Sequence, residues 1–238
     1  MDSNFVYSDQ ALMAEASNYR RYLFDLLAPH LRGRVLEIGA GIGNITSMAL
    51  SCPGISSYTC IEPEKSCIAS LENIMEGYDI PCEIINGLFP EAVSDTDRRF
   101  DLIFSYNVME HIEDDSSAFS ICSSLLSENG VLFVFVPAFM CLFGGMDRHL
   151  KHFRRYSRKE LACKLEDAGF DVAQSGYCNF VGFWGWFLNN RVLNISSQKS
   201  SQITLFDKVI LPVQRRIESI IHPPFGQNLY TVAVKREN

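Results

Sequence analysis

The sequence predicts an α/β fold, a doubly wound and mostly parallel sheet with helices on both faces. Short apolar runs typical of buried strands alternate with helical stretches, a pattern that indicates parallel strands joined by crossover helices. The first five predicted strands lie at 34–38, 58–62, 82–86, 100–106 and 130–136. A sixth strand is predicted at 170–177 after a helix at 157–168, and the segment 229–235 alternates in the manner expected of an edge strand. Seven strands in 238 residues therefore predict one domain with insertions.

The first strand runs into a loop with three glycines at alternate positions. Residues 35–46 read V-L-E-I-G-A-G-I-G-N-I-T. Because glycine lacks a Cβ atom, it permits a positive φ angle and lets a ligand lie against bare backbone. The segment 42–50 can form a helix whose N-terminus faces such a ligand. The loop therefore predicts a nucleotide-cofactor site at the end of the first strand.

Glycine spacing and Glu37 distinguish between two kinds of cofactor. The dinucleotide fingerprint G-x-G-x-x-G requires a third glycine at position 44, where this chain has Asn44, and Gly43 comes one residue earlier. Glu37 would repel a pyrophosphate but can accept hydrogen bonds from an ammonium group. A cofactor that carries an amino acid therefore fits better than a dinucleotide.

The loop resembles the first motif of the class I S-adenosylmethionine-dependent methyltransferases, (V/L)-L-(D/E)-x-G-x-G-x-G. The resemblance implies a Rossmann-like fold with an antiparallel last strand, S-adenosylmethionine as methyl donor and S-adenosylhomocysteine as product. It also implies that the cofactor is bound by Glu37, Gly39, Ala40, Gly41 and Gly43.

A second acid lies where this resemblance requires one. Glu62 ends the second strand at about the usual interval after Gly39, and its two oxygens can accept from both ribose hydroxyls. Pro63 then starts the next helix, where its missing N–H costs nothing, and is expected beside the cofactor. The alternative is that Glu62 is a solvated acid at the end of a strand.

The adenine is predicted to lie against the end of the third strand. The family often places an aspartate there, whereas this chain reads N-G-L-F at 86–89. The backbone of Gly87 and Leu88 is therefore expected to meet the adenine edge, with the side chain of Leu88 or Phe89 against the ring.

The methionine end of the cofactor and the substrate are predicted to lie beyond the fourth strand. Ligands of parallel sheets bind outside the carboxyl ends of the strands, which places Asn107 and Val108 at this site. Glu110 and His111 are interpreted as a structural turn that recurs in similar enzymes, with use as a general base as the alternative.

An amphipathic helix is predicted at 17–31, before the first strand. In similar methyltransferases such a helix covers the cofactor, and a tyrosine near its start reaches the methionine carboxylate. Tyr19 is the candidate, and a core-facing aromatic is the alternative.

Composition limits the possible partners and location. The net charge of −7 argues against a general nucleic-acid binder, which would need a basic surface. The eight cysteines include no C-x-x-C pair and are expected to be reduced. Residues 1–10 lack the pattern of a secretory signal, and no apolar run reaches the roughly 20 residues that span a bilayer. These features predict a cytoplasmic protein.

The segment after the fifth strand is basic in an otherwise acidic chain. Residues 147–156 read D-R-H-L-K-H-F-R-R-Y, and Arg158 and Lys159 follow. Guanidinium groups suit phosphate or carboxylate, so Arg154 and Arg155 are predicted to contact an anionic acceptor, with loop anchoring as the alternative. Ser157 and Glu160 have the spacing of a capping box that starts the next helix.

The same segment supplies the candidate catalytic groups. Attack on a sulfonium methyl group needs mainly alignment, and a base is needed only if the nucleophile must lose a proton early. His152 is the first candidate for that base, then His149, with Tyr156 as an orienting hydroxyl. Asp147 with the two histidines could also hold a metal, but no further ligand set is evident elsewhere in the sequence, which therefore predicts no metal.

The segment 179–193 is dense in aromatic residues and glycine, and Trp184 within it is a candidate substrate contact. It can cap a substrate pocket, rest peripherally on a membrane surface, or pack on the sheet as an apolar insertion. An amphipathic helix at 203–221 and a rigid turn at 223–227 follow.

These motifs divide the single domain into a helical cap at 1–32, a core at 33–178, an insertion at 179–226 and a last strand at 227–238. Together they resemble a bacterial branch of the methyltransferases that is often linked with glycosyltransferases. The resemblance implies methyl transfer to an oxygen or nitrogen of a small-molecule, sugar or lipid-linked acceptor.

Three other functions are alternatives. A nicotinamide-dependent oxidoreductase shares the fold class but should show the longer glycine spacing. A non-catalytic module would bind S-adenosylmethionine without transferring a methyl group. A methyltransferase acting on protein or RNA would need an extended docking surface, which the acidic chain does not suggest.

Overall fold

The structure is a computed structural model and describes residues 16–93, 96–188, 204–218, 220–221 and 223–237. It confirms a seven-stranded sheet with the order β3-β2-β1-β4-β5-β7-β6, in which β7 runs antiparallel to both of its neighbours. The predicted edge position of the last strand was wrong, because β7 pairs with strands on both sides and β6 forms that edge. The other paired strands are parallel. The strands are β1 Gly33–Ile38, β2 Ile55–Ile61, β3 Cys82–Ile85, β4 Phe100–Tyr106, β5 Leu126–Pro137, β6 Phe170–Cys178 and β7 Asn228–Lys235.

Helices flank the sheet and connect its strands. The α-helices are α1 Ser17–Leu27, α2 Thr46–Leu50, α3 Lys65–Met75, α4 Asp115–Leu125, α5 Gly145–His149, α6 Arg158–Asp167, α7 Phe180–Phe187 and α8 Leu211–Glu218. Short 3₁₀ turns lie at Ala28–His30, Glu91–Val93, Met109–His111 and Met140–Leu142, and a π-helical turn, Phe206–Ile210, leads into α8. None of the helices in the described ranges is long and apolar enough to cross a bilayer.

The central strands are buried on both faces, which explains their continuous apolar sequence. On one face Val35 and Phe133 belong to a core that includes residues of α1. On the other face Leu36 and Leu132 belong to a core with residues of α4 and α6. All eight cysteines are free thiols.

Three predicted helix boundaries were wrong, each for a local reason. The helix predicted from residue 42 begins at Thr46, because Gly41 and Gly43 have φ angles of 56° and 87°. Helix α3 begins at Lys65 instead of Pro63, and the Glu64 side chain caps it by accepting from the Ser66 backbone N–H. Helix α1 ends at Leu27, and a 3₁₀ turn with a proline in its first positions continues the chain.

Strand register brings the loops after β1, β2, β4 and β6 to one edge of the sheet. Tyr106 at the end of β4 pairs with Phe135 in β5. Pro137, at the end of β5, pairs with Asn228 at the start of β7, which in turn pairs with Cys178 at the end of β6. The insertion between β6 and β7 therefore lies at the same edge as the glycine loop.

Candidate active site

The glycine loop is shaped by backbone angles that other residues rarely adopt. Gly39, Gly41 and Gly43 have φ angles of 76°, 56° and 87°. A Cβ atom added at Gly39 would collide with the side chain of Val108, and one added at Gly43 would collide with Ile74. The loop therefore needs glycine both for its turn and for its close packing. Ala40 lies buried between the first two glycines.

Glu62 is buried and holds the glycine loop in place. Its Oε2 atom accepts a hydrogen bond of 2.6 Å from the Gly41 backbone N–H, and Oε1 accepts one of 2.9 Å from the Glu64 N–H. Burial raises the pKa of this carboxyl group, and the two backbone donors oppose the increase. A carboxylate offers about four acceptor positions, so the site retains acceptors for two ribose hydroxyls. The alternative of a solvated acid does not fit this buried geometry.

Glu37 lies in the core beneath the loop. The hydroxyl groups of Thr46 and Tyr58 both donate to its Oε2 atom at 2.6 Å. Burial raises the pKa of Glu37 to about 7, although these two hydrogen bonds favour the ionised form. Glu37 thus joins the loop to β2. Its contact with the ammonium group of the cofactor stays a prediction.

The segment after β3 lies beside Glu62. The Gly87 backbone N–H donates to the Glu62 carbonyl, and the side-chain amide of Asn86 donates to the same oxygen at 2.8 Å. The next residue, Leu88, exposes most of its side chain. An exposed apolar group beside a buried acid is what an adenine ring and its ribose require. Pro63 is exposed next to Glu62.

The end of β4 packs against the glycine loop. Asn107 adopts a left-handed conformation with a φ angle of 52°, and its N–H donates to the Phe135 carbonyl at 2.8 Å. Val108 lies so close to Gly39 that no side chain fits between them. The residues predicted at the methionine end of the cofactor are therefore brought to the loop.

Tyr19 contacts the core and the insertion. Its ring lies 6.2 Å from that of Tyr22 and 6.4 Å from that of Phe206, and its hydroxyl is 3.5 Å from Asn228 Oδ1. The Tyr19 backbone N–H donates to Asp207 at 2.8 Å. These contacts fit the core-facing alternative, and a contact between Tyr19 and the cofactor stays a prediction.

The two arginines predicted to contact an acceptor are ion-paired within the protein. Arg155 is buried, and its Nε lies 2.7 Å from Asp147 Oδ1. Arg154 contacts Asp115 at 2.5 Å and donates to the Glu113 carbonyl. The geometry therefore supports loop anchoring, the alternative role for both.

The other predicted acceptor-side residues lie in different settings. Tyr156 is fully buried, and its hydroxyl lies 2.8 Å from Asp115 Oδ2 and 3.1 Å from the Met109 carbonyl. This hydroxyl fastens the loop, and its burial does not suit an orienting contact with an acceptor. His149 ends α5 at an exposed position, and Trp184 is exposed on α7, where it contacts Phe183 and Phe225.

His152 belongs to a compact cluster with Glu110 and His111. Its Nδ1 atom lies 3.0 Å from Asp147 Oδ1, and its Nε2 atom lies 3.9 Å from Glu110 Oε1. The His111 and His152 rings meet edge to face at 4.6 Å. Burial raises the pKa of Glu110 to about 8, and burial together with the neighbouring His152 lowers the pKa of His111 to about 4.

Some of these partners could not be read from the sequence. Thr46 and Tyr58 carry hydroxyls to Glu37, and the only signal for Thr46 was its place at the end of the glycine motif. The sequence indicates only a structural turn at Glu110 and His111, and their proximity to His152 arises in the folded chain.

Comparison with known proteins assigns this chain to a family. A family model described as a methyltransferase domain matches residues 14–175, more than half of the chain. No curated protein matches the sequence. The chain belongs to the methyltransferase-domain family. This methyltransferase uses S-adenosylmethionine as its methyl donor, and the match argues against a nicotinamide-dependent oxidoreductase.

Solved structures similar to this methyltransferase cover nearly all of it. One is from the complex between the Trm112 methyltransferase activator of Haloferax volcanii and a candidate methyltransferase, with a TM-score of 0.65, 14% identity and 99% and 96% of the two chains covered. An S-adenosylmethionine-dependent methyltransferase of Mesorhizobium loti has a TM-score of 0.60 and 15% identity, and the match covers 90% of this chain and 96% of that one. A second such methyltransferase, from Archaeoglobus fulgidus, has a TM-score of 0.58 and 17% identity, and the match covers 91% of this chain and 94% of that one. At these identities the likeness shows the fold alone.

Replacing Arg155 by Ala is expected to lower the free energy of unfolding of the methyltransferase by about 3 kcal/mol, because the change leaves the buried carboxylate of Asp147 without its cation. Urea denaturation measures the loss. Arg158→Ala is the control, since Arg158 is exposed and rests on the Tyr177 ring, a contact worth about 1 kcal/mol or less. Equal losses in the two variants would contradict the anchoring role.

Replacing Glu37 by Gln is expected to flatten the pH dependence of stability between pH 4.5 and about 7. The folded protein keeps a proton on Glu37 that the unfolded chain releases, since the pKa rises from 4.5 to about 7. The wild-type free energy of unfolding therefore falls as the pH rises through this window, by up to about 3 kcal/mol from this group. Urea denaturation at pH 5 and pH 7.5 measures the slope. The exposed-site variant Glu128→Gln should keep the wild-type slope, and an unchanged slope in Glu37→Gln would refute the assignment.

Proposed function

We propose that this methyltransferase methylates an oxygen or nitrogen of an anionic, lipid-linked acceptor at the cytoplasmic face of a membrane. The observation that carries the proposal is the exposed apolar face of the helical segment 204–218 in the insertion. The buried residues of this segment are Asp207, Leu211 and Gln214, so two of the three are polar, whereas a helix that packs on a soluble core usually buries an apolar face.

The outward face of this helix forms what we call the apolar stripe. Its four residues are spaced four apart and are largely exposed: Leu205 (57%), Val209 (58%), Val213 (60%) and Ile217 (41%). Residues at this spacing lie on one face of a helix. Trp184, Phe187 and Leu188 on and after α7 are also exposed, so the apolar surface is not confined to one element.

The inward face buries Leu211 in the core, and two polar residues on the same face fasten the helix to the rest of the protein. Asp207 and Gln214 are almost fully buried. Asp207 accepts from the backbone N–H groups of Asn18 and Tyr19 at the start of α1, where a carboxylate also complements the helix dipole. Gln214 donates to Asn179 at the start of α7. The helix is therefore held with its apolar stripe towards solvent.

The position of the insertion supports a role in binding the acceptor. It leaves β6 and enters β7 at the edge of the sheet that also carries the glycine loop, Glu62 and Asn107. An amphipathic surface with tryptophan is typical of proteins that bind at a membrane interface. A membrane-bound acceptor would then be presented at the edge where the methyl donor is held.

Exposed cations next to this edge suit an anionic acceptor. Arg148, Lys151 and Arg158 remain exposed although Arg154 and Arg155 are ion-paired. Guanidinium and ammonium groups at a membrane surface favour phosphate-bearing headgroups. A sugar on that acceptor follows from the resemblance to the branch linked with glycosyltransferases.

The chemistry requires a held donor and a place for the acceptor proton. Bound S-adenosylmethionine supplies an electrophilic methyl group on a sulfonium. The glycine loop and Glu62 would hold the nucleoside part, and Asn107 and Val108 would border the methionine part. The cluster of Glu110, His111 and His152, with Asp147 orienting His152, is the proposed site beside which the acceptor loses its proton.

Replacing both Val209 and Val213 by Glu is expected to weaken binding to anionic lipid vesicles by at least about tenfold, because two apolar side chains, each worth about 1.5 kcal/mol or more when buried, are replaced by charges. Co-sedimentation with phosphatidylglycerol vesicles measures the effect. Ala69→Glu, at an exposed helical position outside the insertion, is the control. Equal binding of the double variant and the control would contradict a membrane role.

Incubation of the enzyme with methyl-labelled S-adenosylmethionine and a cell extract is expected to place the label in the organic, lipid-containing phase. Partition of the extract followed by counting measures the transfer. The double valine variant should lose this transfer while it still binds S-adenosylmethionine. Label found only in aqueous metabolites would rule out a lipid-linked acceptor.

A further inference from the structure

We propose that Glu110, His111 and His152 form a binding site for one divalent transition-metal cation of the Zn²⁺ type. Two of these residues follow β4, and the third lies on the loop after α5, so the fold brings together residues about forty positions apart. The role of this site in methyl transfer rests on the proposed function. Cation binding does not.

The donor atoms have a spacing that suits ligands of one ion. One ligand atom from each residue lies within 4.8 Å of the other two. The distance of 3.9 Å between His152 Nε2 and Glu110 Oε1 is too long for a hydrogen bond. Two atoms that each lie about 2.1 Å from one ion are separated by up to about 4.2 Å, so this gap fits a shared cation.

Glu110 lacks the partners that a buried carboxyl group requires. The residue is fully buried, and neither oxygen accepts a hydrogen bond from another residue in the ranges that the structure describes. Buried polar atoms without partners are rare in folded proteins, and each one calls for an explanation. A bound cation would satisfy both the charge and the lone pairs of this group.

Both histidines are oriented in the manner of metal ligands. His152 Nδ1 pairs with Asp147 Oδ1 at 3.0 Å, and the His111 ring makes a hydrogen bond to the backbone of Leu150. Histidines that bind metals usually use their second nitrogen in this way, which fixes the ring and its tautomer. The remaining nitrogen of His152 is the one that faces Glu110.

The loop that carries His152 is held firmly against the turn that carries Glu110. The Phe153 N–H donates to the Glu110 carbonyl at 2.8 Å, and the Tyr156 hydroxyl lies 3.1 Å from the Met109 carbonyl. Arg155 Nε lies 2.7 Å from the same Asp147 oxygen that pairs with His152. A site held from several directions needs little rearrangement to accept an ion.

Ligand chemistry selects the class of cation. Two imidazoles and one carboxylate suit Zn²⁺ and its transition-metal neighbours, whereas Mg²⁺ and Ca²⁺ prefer oxygen ligands. Three protein ligands leave a coordination position open. Because the site directly follows Asn107 and Val108, that position would lie on the acceptor side, where a cation lowers the pKa of a hydroxyl group.

Titration of the full-length protein with Co²⁺, a visible-absorbing probe for such sites, tests the proposal without cofactor or acceptor. Cys141 and Cys163 are the exposed thiols and are first replaced by Ser, so that cysteine does not compete for the ion. The expected result is one Co²⁺ bound per chain, with a spectrum that lacks thiolate bands. Glu110→Gln and His111→Gln should each weaken Co²⁺ binding by at least about a hundredfold. Replacing a residue that only orients a metal ligand usually weakens binding less than this.

Glu113→Gln is the matched control, an exposed glutamate on the same turn that should keep wild-type affinity for Co²⁺. Affinity for S-adenosylmethionine, measured by calorimetry, should be unchanged in Glu110→Gln, which shows that the variant is folded. Absence of Co²⁺ binding, or equal Co²⁺ affinity in Glu110→Gln and Glu113→Gln, would overturn the metal site and leave the proposed methyl transfer standing. Co²⁺ binding without methylation of any lipid would retain the metal site and overturn the proposed acceptor.

Discussion

The hydrogen bond from the Gly41 backbone to the buried carboxylate of Glu62 is the interaction on which the predicted cofactor site depends. The bond joins the loop after β1 to the end of β2, two segments that parallel strands bring to one edge. Glu62 also accepts from the backbone at the start of α3, so one side chain fixes the loop, the strand end and the helix. Glycine adopts the positive φ angles of the loop at little steric cost, and this hydrogen bond holds the loop in that conformation.

Much of the fold could be predicted because it follows from local periodicity. Strands buried on both faces are continuous apolar runs, and all seven were located from the sequence. The glycine spacing likewise predicted the loop, because a backbone with positive φ angles restricts residue type at each position. Helix starts were less predictable, since the glycine angles and the Glu64 cap decide them in three dimensions.

The acceptor side was harder to predict because its charges are set by distant partners. Arg154 and Arg155 were candidates for binding an anion, but Asp115 and Asp147 neutralise them. Nothing in the sequence near the arginines identifies Asp115, which lies about forty residues earlier on another element. The cluster of Glu110, His111 and His152 could not be predicted for the same reason, since His152 is also about forty residues from the other two members in the sequence. Because both arginines are paired with distant aspartates, the segment 147–156 supports His152 and does not offer these arginines to a substrate.

The antiparallel direction of β7 has a consequence for how this enzyme can change over evolution. Since β6 ends and β7 begins at the same edge of the sheet, the chain between them starts and finishes at adjacent points. A longer or shorter insertion leaves the strand order and the glycine loop untouched, and doubling its length costs only about 0.6 kcal/mol in closure entropy. The surface that we propose to face the acceptor can therefore diverge between relatives while the predicted donor site stays constant, so that one fold could serve new acceptors by exchanging a single peripheral segment.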